Sequence, residues 1–243
     1  VPLSIDVAVT PALIASCAPA GIAVVIDVLR ATTTIVAAIE NGAAGVVPVR
    51  ETDEAIAVMR RIGRERVLLC GERGAETIAG FDLGNSPAAY ARDVVAGKTL
   101  AFTTTNGTRA LVDAARGAPA VLCGALVNRD AVARALLAAG DDALLVCAGD
   151  DGALSFDDLL AAGAIVAAVH ARDATVRRSD AARAAMALYE SNASRITTAV
   201  ASGTHARRLR ELGFADDVVA CARVDVSTCV PVYRDGLIAG ASG

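Results

Sequence analysis

Lysine and aromatic rings are scarce in this sequence. Lys98 is the sole lysine among 23 lysine and arginine residues, and Phe, Trp and Tyr together make up 3% of 243 residues. A phosphate-binding loop of the form G-x-x-x-x-G-K-[ST] is absent, and one lysine cannot supply it. With a net charge of −4, there is neither a basic field nor a set of stacking rings for nucleic acid. The near-exclusive use of arginine is read as a mark of genome composition. Long apolar runs are missing too: stretches such as Ala161 to Val169 reach about half the length that spans a bilayer. The N-terminus has no basic region followed by a hydrophobic run. No C-x-x-C pair occurs among Cys17, Cys70, Cys123, Cys147, Cys221 and Cys229, and none of them has zinc-ligand spacing with His170 or His205. The expectation is a soluble, cytoplasmic protein with reduced thiols, no membrane contact and no nucleic-acid partner. There is no G-x-S-x-G elbow. Cys123 and Arg129 match C-x5-R, but the loop Gly124-Ala125-Leu126-Val127-Asn128 is too apolar to cradle phosphate, so the match is taken as coincidence.

What is present is a repeated alternation of short apolar runs and helical stretches. Apolar runs bounded by glycine read as buried strands near 5–9, 22–27, 45–49, 67–70, 99–102, 120–123 and 143–147. Helices are expected near 32–41, 52–62, 87–96, 108–116, 129–138 and 155–170, then over 179–212, with a final strand pair near 217–222 and 229–233. Such alternation predicts an α/β protein with three layers, α/β/α, around a mainly parallel sheet. A strand–threonine–helix unit occurs twice, so the chain reads as two similar halves packed together. Residues 1–98 carry the Thr32–Thr34 loop and 99–243 carry the Thr103–Thr108 loop, with the halves free to intertwine and 120–140 as another place for the boundary. No proline- or serine-rich linker separates them.

Ligands in such sheets bind beyond the C-terminal strand ends, so the residues after each apolar run carry the chemistry. Asp27 and Arg30 precede Thr32, Thr33 and Thr34, which places a carboxylate, a guanidinium and hydroxyls at a helix start, where unpaired N–H groups and the helix dipole favour an anion. Thr105, Asn106, Gly107 and Thr108 repeat that pattern, and a loop wrapped around an anion suits them better than a hairpin, because Thr108 leads into a helix. Arg109 in the first turn of that helix sits against the dipole unless an anion is near. Gly71-Glu72-Arg73-Gly74 offers a carboxylate for a metal and a guanidinium for an anion between two flexible residues. Asn85 and Ser86 read equally as ligand groups and as caps before Pro87, while Asp82 leans toward function. Asp150, Asp151, Asp157 and Asp158 follow another strand, and Ser155 with Asp158 also resembles a capping box.

Taken together, these segments resemble the 2-phosphosulfolactate phosphatase family of the coenzyme M pathway. The likeness is carried by Asp27-Val28-Leu29-Arg30-Ala31-Thr32-Thr33-Thr34, Gly71-Glu72-Arg73-Gly74, Gly80-Phe81-Asp82-Leu83-Gly84-Asn85-Ser86-Pro87, Thr104-Thr105-Asn106-Gly107-Thr108, Cys147-Ala148-Gly149, Asp157-Asp158 with Ala162-Gly163, and Val230-Pro231. Each piece alone is unspecific, whereas the ordered set is distinctive. The resemblance implies a magnesium-dependent phosphatase that converts 2-phospho-3-sulfolactate to 3-sulfolactate and phosphate.

A substrate with phosphate, carboxylate and sulfonate carries about four negative charges and demands arginines, hydroxyls, helix termini and a divalent cation in one cleft. The expected catalytic residues are Asp27, first candidate for nucleophile or base, and Arg30. Magnesium is assigned to some of Asp27, Glu72 and Asp158. Thr32, Thr33, Thr34, Arg73, Asn85, Ser86, Thr105, Asn106, Gly107 and Thr108 are the expected phosphate and substrate contacts. A broader phosphatase of phosphorylated 2-hydroxy acids and a non-catalytic binder of a phosphorylated metabolite remain as alternatives. A symmetric homodimer is compatible with a chain of this size.

Overall fold

The structure, a computed structural model, describes residues 3–240. One sheet of eleven strands runs through it. In chain order the strands are β1 (Ser4–Ala8), β2 (Ile22–Ile26), β3 (Gly45–Pro48), β4 (Val67–Arg73), β5 (Glu76–Thr77), β6 (Thr99–Thr103), β7 (Ala120–Gly124), β8 (Ala143–Cys147), β9 (Arg177–Arg178), β10 (Pro231–Arg234) and β11 (Leu237–Gly240). Their spatial order is β5-β4-β6-β3-β11-β10-β7-β2-β8-β1-β9. Two parallel groups, β4-β6-β3 and β7-β2-β8-β1-β9, flank the antiparallel hairpin β10–β11. Strands from before and after residue 98 interleave: β6 lies between β4 and β3, and β2 between β7 and β8.

Helices cover both faces, as continuous apolar strands require. They are α1 (Ala31–Glu40), α2 (Thr52–Ile62), α3 (Arg92–Val95), α4 (Gly107–Ala114), α5 (Arg129–Ala139), α6 (Phe156–Arg172), α7 (Asp180–Asn192), α8 (Ile196–Ser202), α9 (Thr204–Glu211) and α10 (Ala215–Cys221). The two-residue period of a strand sends alternate side chains to opposite layers. Ile22, Val24 and Ile26 of β2 join Leu136, Ile165 and Ala185 under α5, α6 and α7. Ala23 and Val25 join Ile35 and Leu111 under α1 and α4. Each fully buried Ile, Leu or Val contributes about 1.5–3 kcal/mol of transfer free energy. Where α6 crosses α7, a Cβ on Gly163 would stand 1.9 Å from the Ala185 carbonyl oxygen, so glycine permits the approach.

Three expectations change. The segment 87–96 is not one helix: a 3-10 turn, Pro87–Ala89, is followed by Tyr90 and the short α3. Tyr90 is buried and its hydroxyl donates to Gly84 O at 2.6 Å, which pins the break. The helical stretch 179–212 is divided near 193–195 and again at Gly203, whose backbone is extended. Residues 217–222 are mostly helix, not strand. Val218 and Cys221 bury one face of α10, while Asp216 and Asp217 suit the positive end of its dipole. The last strand pair is β10–β11, closed by Asp235-Gly236, both at positive φ as the tight hairpin turn requires.

Candidate active site

Asp27 leaves the C-terminal end of β2 and is buried. Its Oδ1 accepts the Ala31 N–H at 3.1 Å, and burial pushes its carboxyl up to about 6, opposed by that N–H and by the nearby His205. The Thr32 hydroxyl lies 2.8 Å from Asp27 O and 2.7 Å from Gly124 O while accepting the Asp27 N–H. Thr33 donates to Val28 O and Thr34 to Asn85 O. The three hydroxyls thus bind backbone, fixing the Asp27 turn and the Asn85 loop, and none of them borders the cavity described next.

A cavity of about 120 Å³ opens over these strand ends. Asp27 and Arg30 come from the β2–α1 turn, Glu72 from β4, Thr105 and Asn106 from the turn after β6, and Asn85 from its own loop. Asp150 and Asp151 reach it from beyond β8, and His205 and Arg208 from α9. The cavity therefore brings Arg30, Glu72 and Asn106 together from three distant segments. Asn85 Oδ1 is buried without a hydrogen-bond partner, an acceptor left over in a site able to receive a ligand donor or a cation. A wider hollow of about 390 Å³ adjoins the first, sharing Thr105, Asn106 and Asp151 and adding Thr10 and Arg109.

Glu72 fastens two turns at once: Oε2 accepts the Ala75 N–H at 2.7 Å, and Oε1 accepts the Thr105 N–H at 2.8 Å. Arg30 is buried, donates to Asp217 and to Ala75 O, and lies 4.3 Å from the Phe214 ring centroid. The remaining expected contacts fall outside the cavity. Arg73 turns away to Arg50 O, Glu72 O and Thr103 Oγ1, and Ser86 donates to Asp217 instead of capping a helix. Thr108 exchanges bonds with Thr104, each backbone N–H going to the other's hydroxyl. Gly107 lets α4 approach: a Cβ there would meet Asp27 Oδ2 at 2.5 Å. Asp82 pairs with Arg64 and accepts the Leu69 N–H, so it holds the loop and not a ligand. Arg109 finds its anion in Glu51 at 2.8 Å. Arg129 pairs with Asp225, and the Cys123 thiol is pushed well up by burial, which agrees with a coincidental C-x5-R spacing.

The metal question turns on which carboxylates border the cavity, as Asp27, Glu72, Asp150 and Asp151 do. Asp158 uses Oδ1 for the Val28 N–H at 2.9 Å and Oδ2 for the Gly149 N–H at 3.0 Å, and it does not border the cavity. Burial, with Asp157 and Asp27 close by, pushes its carboxyl well up. Among the described residues no three His, Cys, Asp or Glu side chains converge as a ready ligand cluster. Magnesium needs fewer, taking one or two carboxylates, waters and substrate phosphate. The oxygen groups that Asp27, Glu72 and the unpartnered Asn85 bring to the wall fit such a hard cation.

His205, Arg208 and Asp217 are absent from the site expected from sequence. No local signal in the sequence marked His205 or Arg208, whose helix begins after Gly203. Asp217 was hidden by the strand expected over its segment.

Residues 8–236 match the 2-phosphosulpholactate phosphatase family. A protein of Caldanaerobacter subterraneus subsp. tengcongensis named probable 2-phosphosulfolactate phosphatase is 43% identical over 215 residues, 88% of each chain. Proteins of the same name from Thermotoga petrophila and Clostridium tetani are 41% and 40% identical, covering 96% and 88% of this chain and 96% and 90% of their own. No described helix is long and apolar enough to cross a membrane. With the match spanning every strand from β2 to β10, the chain belongs to the 2-phosphosulfolactate phosphatase family, a family of phosphoric monoester hydrolases.

Proposed function

We propose that this protein hydrolyses 2-phospho-3-sulfolactate to 3-sulfolactate and inorganic phosphate, with magnesium as its cofactor. The observation that carries the reading is the meeting of Asp27, Arg30, Glu72 and Asn106 in one cavity at the strand ends. Asp27 and Glu72 would hold magnesium, with Asp158 behind them bracing the Val28 and Gly149 backbone. Magnesium when bound supplies charge neutralisation for the phosphate and orients it.

The protein's own groups do the rest. Arg30, fixed by Asp217, Ala75 and Phe214, keeps guanidinium N–H groups for phosphate oxygens, since a guanidinium has five donors. Asn106 and Thr105 present polar groups at the junction of the two hollows, where the carboxylate and sulfonate end of the substrate extends. Monoester hydrolysis asks mainly for positioning and charge stabilisation, and a buried wall with opposed charges provides both.

The test is phosphate release by purified protein from phosphosulfolactate, phospholactate and phosphoglycolate, with magnesium, with chelator, and with magnesium restored. Turnover preferring phosphosulfolactate and abolished by chelation supports the reading. Equal turnover of all three substrates would defeat the assigned specificity, and no release from any would defeat the activity. Asp27→Asn should remove turnover and so tie it to this cavity.

A further inference from the structure

The cavity wall contains one imidazole, His205, which none of the roles above uses. Its position is built by the fold. Gly203 ends α8 in extended backbone and starts α9 anew, and buried Ala206 and Leu209 anchor that helix on the core. His205 and Arg208, three residues apart on one helix face, both reach the cavity. Nδ1 of His205 is buried, without a formed hydrogen bond, 3.3 Å from Asp150 Oδ1. With Nδ1 turned to that carboxylate, Nε2 is the nitrogen left to face the cavity. The ring thus shares the cavity wall with Asp27, Asp150 and Arg208.

The chemistry of the assigned ester supplies a task for such a group. Cleaving the phosphate from a secondary alcohol expels an alkoxide, which is a poor leaving group unless it is protonated as it departs. A histidine oriented by a carboxylate is the usual device for moving that proton.

We propose that His205 is a catalytic residue of this hydrolysis, the acid that hands a proton to the departing ester oxygen, and that Asp150 is the positioning residue that holds its ring. The proposal rests on the monoesterase reading above. As the nucleophile attacks phosphorus, the P–O bond to the alcohol breaks and its electron pair goes to the ester oxygen. That oxygen takes the proton from Nε2 of His205, forming the neutral alcohol. The water consumed overall returns a proton to the imidazole, so each turnover uses one water and releases one alcohol and one phosphate.

The test compares leaving groups. His205→Gln and Asp150→Asn are assayed on phosphosulfolactate, an alkyl ester, and on p-nitrophenyl phosphate, whose phenolate leaves without a proton. Removing the acid should lower kcat on the alkyl ester by about 10²-fold or more, with the aryl ester falling less than threefold. Asp150→Asn should give a smaller loss with the same bias. Losses equal on the two esters would mark His205 as merely structural and overturn the proposal, as would unchanged alkyl turnover. Thermal unfolding is followed in parallel, and if the glutamine variant does not fold, His205→Asn reads the same ratio. A wild type inactive on phosphosulfolactate defeats the substrate reading alone, and the comparison is then made with phospholactate. A wild type that cleaves no alkyl phosphate overturns both.

Discussion

Arg30 donates through Nη1 to Oδ2 of Asp217 at 2.8 Å, a bond between residues 187 apart in which both side chains are buried, 2% and 6% exposed. Its Nη2 donates to Ala75 O at 2.7 Å, and Ser86 donates to the other oxygen of Asp217. The pair ties α10 to the strand ends and aims the guanidinium at the cavity. Removing one partner leaves a buried charge unpaired, which costs about 3–5 kcal/mol. Asp217→Ala should therefore lower the unfolding free energy measured in urea by an amount of that order and raise KM for the phosphate ester. An unchanged KM would detach Arg30 from substrate binding.

Gly107 and Asp27 touch so closely that no methyl group fits between them. A Cβ on Gly107 would lie 2.5 Å from both Asp27 Oδ2 and the Ala31 Cβ. The chain must shift to relieve that overlap, at a cost of about 1–3 kcal/mol, and the shift displaces the carboxylate assigned to the reaction. Gly107→Ala should reduce kcat far more than Gly117→Ala, where a Cβ meets only the Ala114 oxygen at 3.8 Å. Equal activity in the two variants would show that the Asp27 position is not set from this side.

The same kind of sequence signal leads to side chains with different surroundings in the fold, for physical reasons. Strand ends were legible because buried parallel strands must be uniformly apolar, so Asp27, Glu72 and Asn106 stand out where the runs stop. Thr32, Thr33 and Thr34 were not, since a hydroxyl at a helix start serves a ligand or a backbone carbonyl equally well. Here all three serve carbonyls. Cations placed against a helix dipole behave likewise. At Arg109 the compensating anion is Glu51, so its place in the first turn of α4 marks an ion pair and not a ligand. Over 217–222, where a strand was expected, Val218, Cys221 and Ala222 are buried while Val219 is exposed, the i, i+3, i+4 spacing of a helix face.

Glu72 joins the turn after β4 to the turn after β6, so its neutral isostere tests two things at once. Both carboxylate oxygens accept backbone N–H groups, and Oε2 also takes the Thr105 hydroxyl at 3.3 Å. In Glu72→Gln the amide nitrogen must face an N–H donor in either orientation, leaving a buried donor unmatched at about 1–3 kcal/mol. Losing the negative charge should also raise the magnesium needed for half-maximal activity by roughly tenfold or more. A drop in thermal midpoint with unchanged magnesium dependence would keep Glu72 as a brace and remove it from the metal site.

Asp82 gives a prediction in acid. Arg64 donates to its carboxylate at 2.7 Å, and Leu69 donates its backbone N–H at 2.8 Å. The bond from Arg64 holds the carboxyl below its usual range, with the Leu69 N–H helping and partial burial opposing. The folded chain therefore binds the Asp82 proton less readily than the unfolded chain, so the ionised carboxylate stabilises the fold. That contribution is complete above the unfolded value near 3.9 and is lost as pH falls through the lower folded value. The gap in thermal midpoint between wild type and Asp82→Asn should be full at neutral pH and close progressively below about pH 4. Because Asp82 lies outside the cavity, kcat should stay the same. A gap that does not vary with pH would mean that the pair with Arg64 contributes nothing to the fold, leaving the Leu69 hydrogen bond, which asparagine can also accept, as the reason the loop holds.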